Sequence, residues 1–170
     1  VKRTERLEVV YSGVDTGKFP REIPGILRQE YQIDENTPLV GNVAALADHK
    51  DYFTFVDTVK LLVERGVKAA FFIIGDGPQR EEITAYVNAR GLQKHITFTG
   101  FRKNISHILP ELDLLLFTSK MEGLGTTILD AWSAGVPVVA TAGGGIPELV
   151  KHGETGLLAE VKNPEACAEH

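Results

Sequence analysis

Residues Thr118 to Ala140, TSKMEGLGTTILDAWSAGVPVVA, carry the pattern that best predicts the fold of this chain. The apolar run Leu112 to Phe117 just before it and the run Val136 to Ala140 at its end each predict a buried strand. Between them, Gly123-Leu124-Gly125 opens a helix that Thr126 to Ser133 continue. The stretch therefore predicts a strand, a helix and a second strand, an arrangement typical of α/β proteins with parallel sheets.

The helix start within this stretch suits an anion. A loop of small residues that leads into a helix presents unpaired backbone N–H groups and the positive end of the helix dipole. Glu122 directly precedes this helix, and Asp130 lies eight residues after Glu122, inside it. Carboxylates beside a phosphate would repel it, which suggests that the two acids face hydroxyl groups. A sugar diphosphate carries both kinds of group; the alternative is that the glycines only turn the chain.

Over the whole chain, apolar strands and amphipathic helices alternate at least five times. The further predicted strands are Leu7 to Tyr11, Leu39 to Leu46, Ala69 to Ile74, His95 to Thr99 and Thr155 to Glu160. The further predicted helices are Arg21 to Tyr31, a helix whose apolar face is formed by Phe53, Val56, Val59, Leu62 and Val63, Arg80 to Gly91, Asn104 to Leu109, and two that begin near Pro147 and Pro164. This alternation predicts an α/β fold with a Rossmann-like, mostly parallel sheet and helices on both faces.

In such sheets, ligands gather beyond the carboxyl ends of the strands. The residues that follow predicted strand ends should therefore converge on one rim: Lys50, Gly75 to Arg80, Gly100 to Arg102, Glu122 to Thr126 and Gly143 to Gly145. A lone lysine at a junction such as that of Lys50 is more often a solvated surface residue. The pattern Gly75-x-Gly77 lacks a glycine three residues later, which disfavours a plain NAD-binding Rossmann domain.

Composition and charge describe an ordinary globular protein. The chain has 170 residues, of which 43% are hydrophobic and 24% charged, enough for one domain with a sizeable core. The net charge of −5 argues against a nucleic-acid-binding surface. A single cysteine, Cys167, excludes an internal disulfide and a Cys-based metal cluster and is compatible with a reducing compartment. No signal peptide and no apolar run approaching 18 residues is present, so no transmembrane segment is predicted.

An ordered set of motifs resembles the retaining glycosyltransferases of family 4, which adopt the GT-B fold of two Rossmann-like domains. In chain order the set comprises Ser12-Gly13-Val14-Asp15, Lys50, Gly75-Asp76-Gly77-Pro78, Glu122-Gly123-x-Gly125, Asp130-Ala131, Gly135-Val136-Pro137-Val138-Val139, Gly144 with Pro147-Glu148, and His152-Gly153-x-Thr155-Gly156-Leu157-Leu158. The likeness covers nearly the whole chain, and the ordered set is much more specific than any single motif. It implies that residues 1–170 are the carboxyl-terminal, nucleotide-sugar-binding domain. The chain begins at Val1 and ends at His170 within a predicted helix, so we expect a fragment without its amino-terminal acceptor domain.

The resemblance implies a role for each matching residue. Glu122, the first acid of the family's Glu-x7-Glu motif, would meet hydroxyls of the donor sugar. Gly123, Leu124 and Gly125 would offer backbone N–H groups to the sugar and the diphosphate, and Lys50 would neutralise the diphosphate. The second acid of the motif would hold the ribose hydroxyls. Here it is Asp130, whose side chain is one methylene shorter than that of glutamate.

A second departure from the family concerns the cations. An arginine that members commonly carry five positions before the lysine corresponds to Ala45, so Arg80 is a candidate for the second cation. Gly100, Phe101 and Arg102 fall where the family's chain passes the nucleobase, which backbone atoms would mostly recognise. The remaining candidates for nucleotide-sugar binding are Gly75, Asp76, Gly77 and Thr126.

The resemblance implies retaining, metal-independent transfer of a hexosyl group from a UDP- or GDP-sugar to a glycan, lipid or other acceptor, as in polysaccharide biosynthesis. No cofactor and no metal are expected. The expected partners are the nucleotide-sugar donor and the missing amino-terminal domain. Peripheral contact with a membrane through that domain stays an open alternative. The expected location is the cytoplasm, including the inner face of the membrane. Two alternatives stay open: a nucleotide-sugar-binding domain that is inactive alone, and a GT-B relative such as a sugar-nucleotide epimerase or a sucrose-type synthase.

Overall fold

The computed structural model describes residue 8, residue 10, residues 13–20 and residues 22–170. The predicted strand Leu7 to Tyr11 falls largely outside these residues, and Ser12 and Arg21 fall outside them as well. Across the described part of the chain, no helix has the length and the apolar character needed to cross a membrane.

The described residues contain six strands, which form one sheet. The strands are β1 (Leu39–Val43), β2 (Ala70–Ile74), β3 (Ile96–Gly100), β4 (Leu114–Phe117), β5 (Val138–Thr141) and β6 (Leu157–Ala159). Every neighbouring pair is parallel, and the order across the sheet is β3, β2, β1, β4, β5, β6. The predicted parallel, Rossmann-like sheet is confirmed. Because the order runs outward from β1 to one side and from β4 to the other, the sheet has a topological switch point between these two strands.

Seven α-helices accompany the strands in the part of the chain that the structure describes. They are α1 (Ile26–Tyr31), α2 (Tyr52–Glu64), α3 (Arg80–Ala89), α4 (Ile105–Ile108), α5 (Thr126–Ser133), α6 (Ile146–Leu149) and α7 (Pro164–Glu169). Helix α5 has the predicted bounds. Helix α1 begins later than the predicted start at Arg21, because Gly25 adopts a left-handed φ of 67° immediately before it. The carboxylate of Glu111 accepts hydrogen bonds from the backbone N–H groups of Ile26 and Leu27, at 2.5 and 2.8 Å, and so caps this helix.

The alternation of side chains along the buried strands gives the sheet a hydrophobic core on each face. On one face, Leu39 and Val43 of β1 pack in a cluster that includes residues of α1, α4, α5 and α6. On the other face, Val40 of β1 packs in a cluster with residues of α2, α3 and α7. The continuous apolar runs in the sequence reflect this burial on both sides. The predicted placement of helices on both faces is confirmed.

Two ionisable side chains lie in the core that contains residues of α2, α3 and α7. They make the free energy of unfolding depend on pH in the alkaline range. Cys167 is 5% exposed and Tyr52 is fully buried. Burial raises the pKa of the Cys167 thiol to about 11, and burial also raises the pKa of the Tyr52 hydroxyl well above its usual range. The unfolded chain would ionise the thiol at its ordinary pKa of 9.0. Between these pH values the folded state keeps a proton that the unfolded state loses, so alkali favours unfolding.

We therefore expect the free energy of unfolding, measured by urea denaturation, to fall as the pH rises above about 9. The matched control is Cys167→Ala, because every other effect of alkaline pH is common to the two proteins. This variant should lose less stability than the wild type between pH 8 and pH 10.5, because it has no thiol to ionise on unfolding. Parallel curves for the two proteins would contradict the prediction.

Candidate functional site

The site lies at the switch point, where the carboxyl ends of β1 and β4 are neighbours. Helix α2 follows β1 and packs on one face of the sheet, whereas α5 follows β4 and packs on the other. Parallel sheets of this kind bind ligands in the crevice that such a divergence leaves at the sheet edge. Lys50 follows β1 and Glu122 follows β4, and the distance from Lys50 Nζ to Glu122 Oε1 is 2.5 Å. Two residues far apart in sequence thus meet in this crevice, as predicted.

The position of Lys50 is fixed through its backbone. The buried side chain of Asn42, which interrupts the apolar run of β1, donates a hydrogen bond from Nδ2 to Thr118 Oγ1 at 3.3 Å. Thr118 Oγ1 in turn donates to the carbonyl oxygen of Lys50 at 3.3 Å. The backbone N–H of Lys120 donates to the carbonyl oxygen of His49 at 2.7 Å. These bonds join the segment after β1 to the segment after β4, so they set the lysine in place.

Glu122 has one carboxylate oxygen held by two donors. Ser119 Oγ donates to Oε1 at 2.7 Å, and Lys50 Nζ bonds the same oxygen. The side chains of Lys50 and Glu122 are only 15% and 11% exposed. The other oxygen, Oε2, has no hydrogen-bond partner among the described residues. Glu122 can therefore accept a hydrogen bond from a ligand hydroxyl while its charge stays compensated by Lys50.

Sequence reasoning missed Ser119. Its hydroxyl is buried, and it lies three residues before Glu122 in the same loop. Serine side chains often bond to groups a few residues away in a turn. This short spacing is the signal by which Ser119 could have been found.

The start of α5 adds an anion-binding feature beside Glu122. The residue before the helix is Gly125, which has no side chain to cap it, so the first backbone N–H groups of α5 have no side-chain acceptor. An anion placed there would gain from these N–H groups and from the helix dipole. Gly123, Leu124 and Thr126 lie in or next to this helix start, where the sequence predicts the diphosphate.

The loop after β5, Gly143 to Gly145, packs backbone to backbone against the loop that carries Glu122. A Cβ atom on Gly143, Gly144 or Gly145 would collide with the carbonyl oxygen of Ser119, Glu122 or Gly123 respectively. The N–H of Gly145 also donates to the carbonyl oxygen of Glu122 at 2.8 Å. The triple glycine therefore permits a close approach that supports the backbone of Glu122.

A second feature of the sheet edge is a pocket of about 180 Å³ beyond the ends of β1, β2 and β3. Gly75, Asp76, Phe101 and Arg102, which are predicted to bind the nucleotide, line it together, and Ala45 lies among them. Gly75 also allows close packing, because a Cβ there would collide with the carbonyl oxygen of Ala44. A Cβ atom on Gly77 would likewise collide with the backbone of Leu46. The N–H of Gly75 donates to the carbonyl oxygen of Gly100 at 3.0 Å.

The two arginines among the predicted site residues have protein partners. Arg102 forms two hydrogen bonds to Glu30 of α1, at 2.9 and 2.7 Å, and these bonds hold the pKa of the Glu30 carboxyl below its usual range. The guanidinium carbon of Arg80 lies 4.7 Å from the centre of the Phe98 ring. Because only the side chain of Arg102 is engaged by Glu30, its backbone atoms can still contact a base. The role of Arg80 as the second cation stays a prediction.

Asp130 of α5 forms an ion pair with Lys18, which was not a candidate from the sequence. The distance from Lys18 Nζ to Asp130 Oδ1 is 2.7 Å. Lys18 ends a 3-10 turn (Thr16–Lys18), whose N–H at Gly17 is accepted by the Asp15 carboxylate at 2.8 Å. Its place three residues after Asp15, the last residue of the Ser12-Gly13-Val14-Asp15 motif, is the signal that could have pointed to it.

Within the described ranges, no group of three or more His, Cys, Asp or Glu side chains could hold a metal ion. The site residues identified above are cations, acids and backbone amides. The absence of a metal and of a cofactor from the reaction stays a prediction.

Known proteins resemble this chain in sequence and in fold. It is 30% identical over 169 residues to N-acetyl-alpha-D-glucosaminyl L-malate synthase of Bacillus anthracis, with 99% of this chain and 44% of that protein covered. It is 33% identical over 175 residues to a GDP-mannose-dependent alpha-(1-6)-phosphatidylinositol monomannoside mannosyltransferase of Mycobacterium tuberculosis, with 96% and 45% covered. The crystal structure of HepE from Anabaena in complex with UDP-glucose matches with a TM-score of 0.87 and 28% identity, covering 98% of this chain and 47% of that one.

The chain thus spans less than half the length of these relatives. The family model described as "Glycosyl transferases group 1" matches residues 25–170, which include the whole sheet and every predicted site residue. The chain therefore belongs to the group 1 glycosyl transferases.

Proposed function

We propose that residues 1–170 form the nucleotide-sugar-binding domain of a retaining, metal-independent glycosyltransferase. The observation that carries this proposal is the contact between Lys50 and Glu122 at the switch point, beside an α5 start without a side-chain cap. A cation, helix N–H groups and a carboxylate within one crevice match the diphosphate and the hydroxyls of a sugar nucleotide.

The diphosphate would lie between Lys50 and the start of α5. Lys50 is bonded to Glu122 in the structure, so the ammonium group would be shared between this carboxylate and the phosphate oxygens. An ammonium group has three donors, which allows this sharing without loss of the pair. Lys50 would then hold the diphosphate and orient Glu122 at the same time.

The hydroxyl groups would bind to the carboxylate oxygens that lack a protein partner. Glu122 would accept from the donor sugar through Oε2, since its Oε1 is held by Ser119 and Lys50. Asp130 would accept from the ribose. The base would occupy the pocket of about 180 Å³ beside Gly75 and Phe101.

The chemistry requires stabilisation of a leaving group. As the anomeric bond breaks, the departing nucleoside diphosphate gains negative charge, and Lys50 with the N–H groups of α5 supplies a preorganised positive potential for it. In a retaining reaction without a covalent intermediate, the leaving phosphate would deprotonate the acceptor hydroxyl on the same face. The pairing of Glu122 with Lys50 supports this route, because a carboxylate bonded to an ammonium group is a weaker nucleophile.

The acceptor and the second domain belong to the same proposal. Because the chain spans less than half of its relatives, we propose that an amino-terminal domain completes the active site and binds the acceptor. Residues 1–170 alone would then bind donor but transfer little or no sugar. The alternative, a nucleotide-sugar-binding domain that is inactive alone, makes the same prediction for residues 1–170.

A titration tests the proposed function. We would measure by calorimetry the binding of UDP, GDP, UDP-glucose, GDP-mannose and NAD to the chain. The relatives named above include one described as GDP-mannose-dependent and one crystallised with UDP-glucose, so both bases are included. We expect at least one nucleoside diphosphate or sugar nucleotide to bind, with affinity unchanged by EDTA. Comparable binding of NAD, or binding only with an added divalent metal, would contradict the proposal.

A further inference from the structure

Lys18 and Asp130 form an ion pair between segments that are distant in sequence, at the acid proposed for the ribose. We infer that Lys18 is a positioning residue of the donor site, which holds Asp130 through Oδ1 and leaves Oδ2 for a ribose hydroxyl. This inference rests on the proposed function. The distance of 2.7 Å joins Lys18 Nζ to Oδ1, and Oδ2 has no hydrogen-bond partner among the residues described.

The side chain of Lys18 is 37% exposed, and the chain is held on both sides of this residue. Before it, the Asp15 carboxylate caps the short turn by accepting the N–H of Gly17. After it, Phe19 packs against the hydrophobic core on the α5 face of the sheet, and Lys18 Nζ lies 5.2 Å from the centre of the Phe19 ring. Because the ring of the packed Phe19 lies beside the ammonium group, the lysine side chain has fewer conformations to lose on pairing than a side chain in open solvent.

The pair repeats the arrangement found at Glu122. There, Lys50 and Ser119 hold one carboxylate oxygen and leave the other without a partner. At Asp130, Lys18 likewise holds Oδ1 and leaves Oδ2 without a partner among the described residues. Each acid thus keeps one acceptor for a hydroxyl, while a lysine compensates its charge.

Compensation of the Asp130 charge by Lys18 would favour binding of the diphosphate. Asp130 lies on the helix whose start is proposed to bind the diphosphate, and an uncompensated carboxylate would repel that group. The aspartate side chain also has one rotatable bond fewer than the glutamate that the family carries. A salt bridge at Oδ1 therefore fixes the orientation of the whole carboxylate, and with it the direction in which Oδ2 can accept a hydrogen bond.

The experiment compares two ligands that differ only at the ribose. Calorimetry with the whole chain would use UDP or GDP, whichever binds more tightly, and its 2′,3′-dideoxy analogue. We expect the wild type to prefer the ribose form by about tenfold, the loss for one hydrogen bond to a charged group. Lys18→Met should reduce this preference to about threefold or less and should change binding of the dideoxy analogue much less. Lys18→Arg, which keeps the charge and can still bond Asp130, should keep most of the preference.

Two further proteins complete the test. Lys60→Met is the matched control, because Lys60 pairs with Glu64 on α2 at 3.6 Å, and it should leave both affinities unchanged. In Asp130→Asn the ribose preference should already be weak, and adding Lys18→Met should lower it no further. Thermal unfolding of each variant identifies any that fails to fold, and Lys18→Gln then replaces Lys18→Met.

The outcomes separate the inference from the proposed function. If the wild type binds neither UDP nor GDP, the proposed function fails and the inference fails with it. If the wild type binds and Lys18→Met keeps the full ribose preference, only the inference fails. Equal weakening of both ligands would also overturn it, because that result indicates a general charge effect instead of positioning.

Discussion

Replacement of Lys50 by alanine is expected to weaken the binding of a nucleoside diphosphate by about 1–3 kcal/mol, the range for loss of a hydrogen bond to a charged group. Two effects add in the same direction. The ammonium group that would contact the diphosphate is lost, and Glu122, only 11% exposed, is left with an uncompensated charge beside the phosphate. Calorimetric titration with UDP and GDP measures the change, and urea denaturation measures any separate loss of stability.

Lys60→Ala is the matched control for Lys50→Ala. It removes the same side chain from an ion pair on the surface of α2, with Glu64, and should leave nucleotide affinity as it is. If Lys50→Ala binds nucleotide like the wild type, Lys50 has no part in the site. If the two variants lose affinity equally, the effect comes from net charge and the crevice is not the binding site.

Replacement of Gly144 by alanine is expected to damage both the fold and the site. The φ of Gly144 is 62°, in the left-handed region, and its added Cβ would collide with the backbone of Glu122. Backbone strain costs about 1–2 kcal/mol, and forcing a methyl group into a packed interface costs roughly 1–3 kcal/mol more. Relief of the collision must move Glu122, so we expect a large loss of nucleotide affinity together with the loss of stability measured in urea.

Gly66→Ala separates the effect of backbone strain from the effect of the collision with Glu122. Gly66 has a φ of 78°, but a Cβ atom there would have no heavy atom within 4 Å, so the variant suffers the backbone strain without the collision. It lies after α2, away from Glu122. We expect a smaller loss of stability and an unchanged affinity for nucleotide. Equal losses for Gly66→Ala and Gly144→Ala would indicate that the approach of the triple-glycine loop to Glu122 is unimportant.

The elements of the fold were predictable where the local pattern is strong. The bounds of α5 agree with the prediction, since a glycine pair precedes it and Gly135 with Pro137 follows it. Bounds were less accurate where a turn overrides an apolar run. Leu112 belongs to an apolar run that predicts a strand, but its backbone N–H closes the 3-10 turn Leu109–Glu111 by donating to the carbonyl oxygen of Leu109 at 3.1 Å, and β4 begins only at Leu114.

The site was predictable in part. Lys50 and Glu122 were candidates because each follows a strand, and the carboxyl ends of parallel strands share one edge. Their direct contact, and the role of Ser119 in holding Glu122, depend on how the side chains are directed within that edge. Lys18 was not assigned, because its place after the motif that ends at Asp15 does not identify its partner Asp130, which is reached only through tertiary packing.

Local periodicity and spacing, which are properties of short segments, predicted a parallel α/β sheet with glycine-rich loops and acids after its strands. The resemblance to glycosyltransferases came from the ordered set of motifs. The strand order, the switch point between β1 and β4, and the pairing of each acid with its lysine became visible in the tertiary structure alone. Strand order and these ion pairs depend on contacts between residues far apart in the chain, and no local pattern encodes which distant partner a strand or a charge will meet.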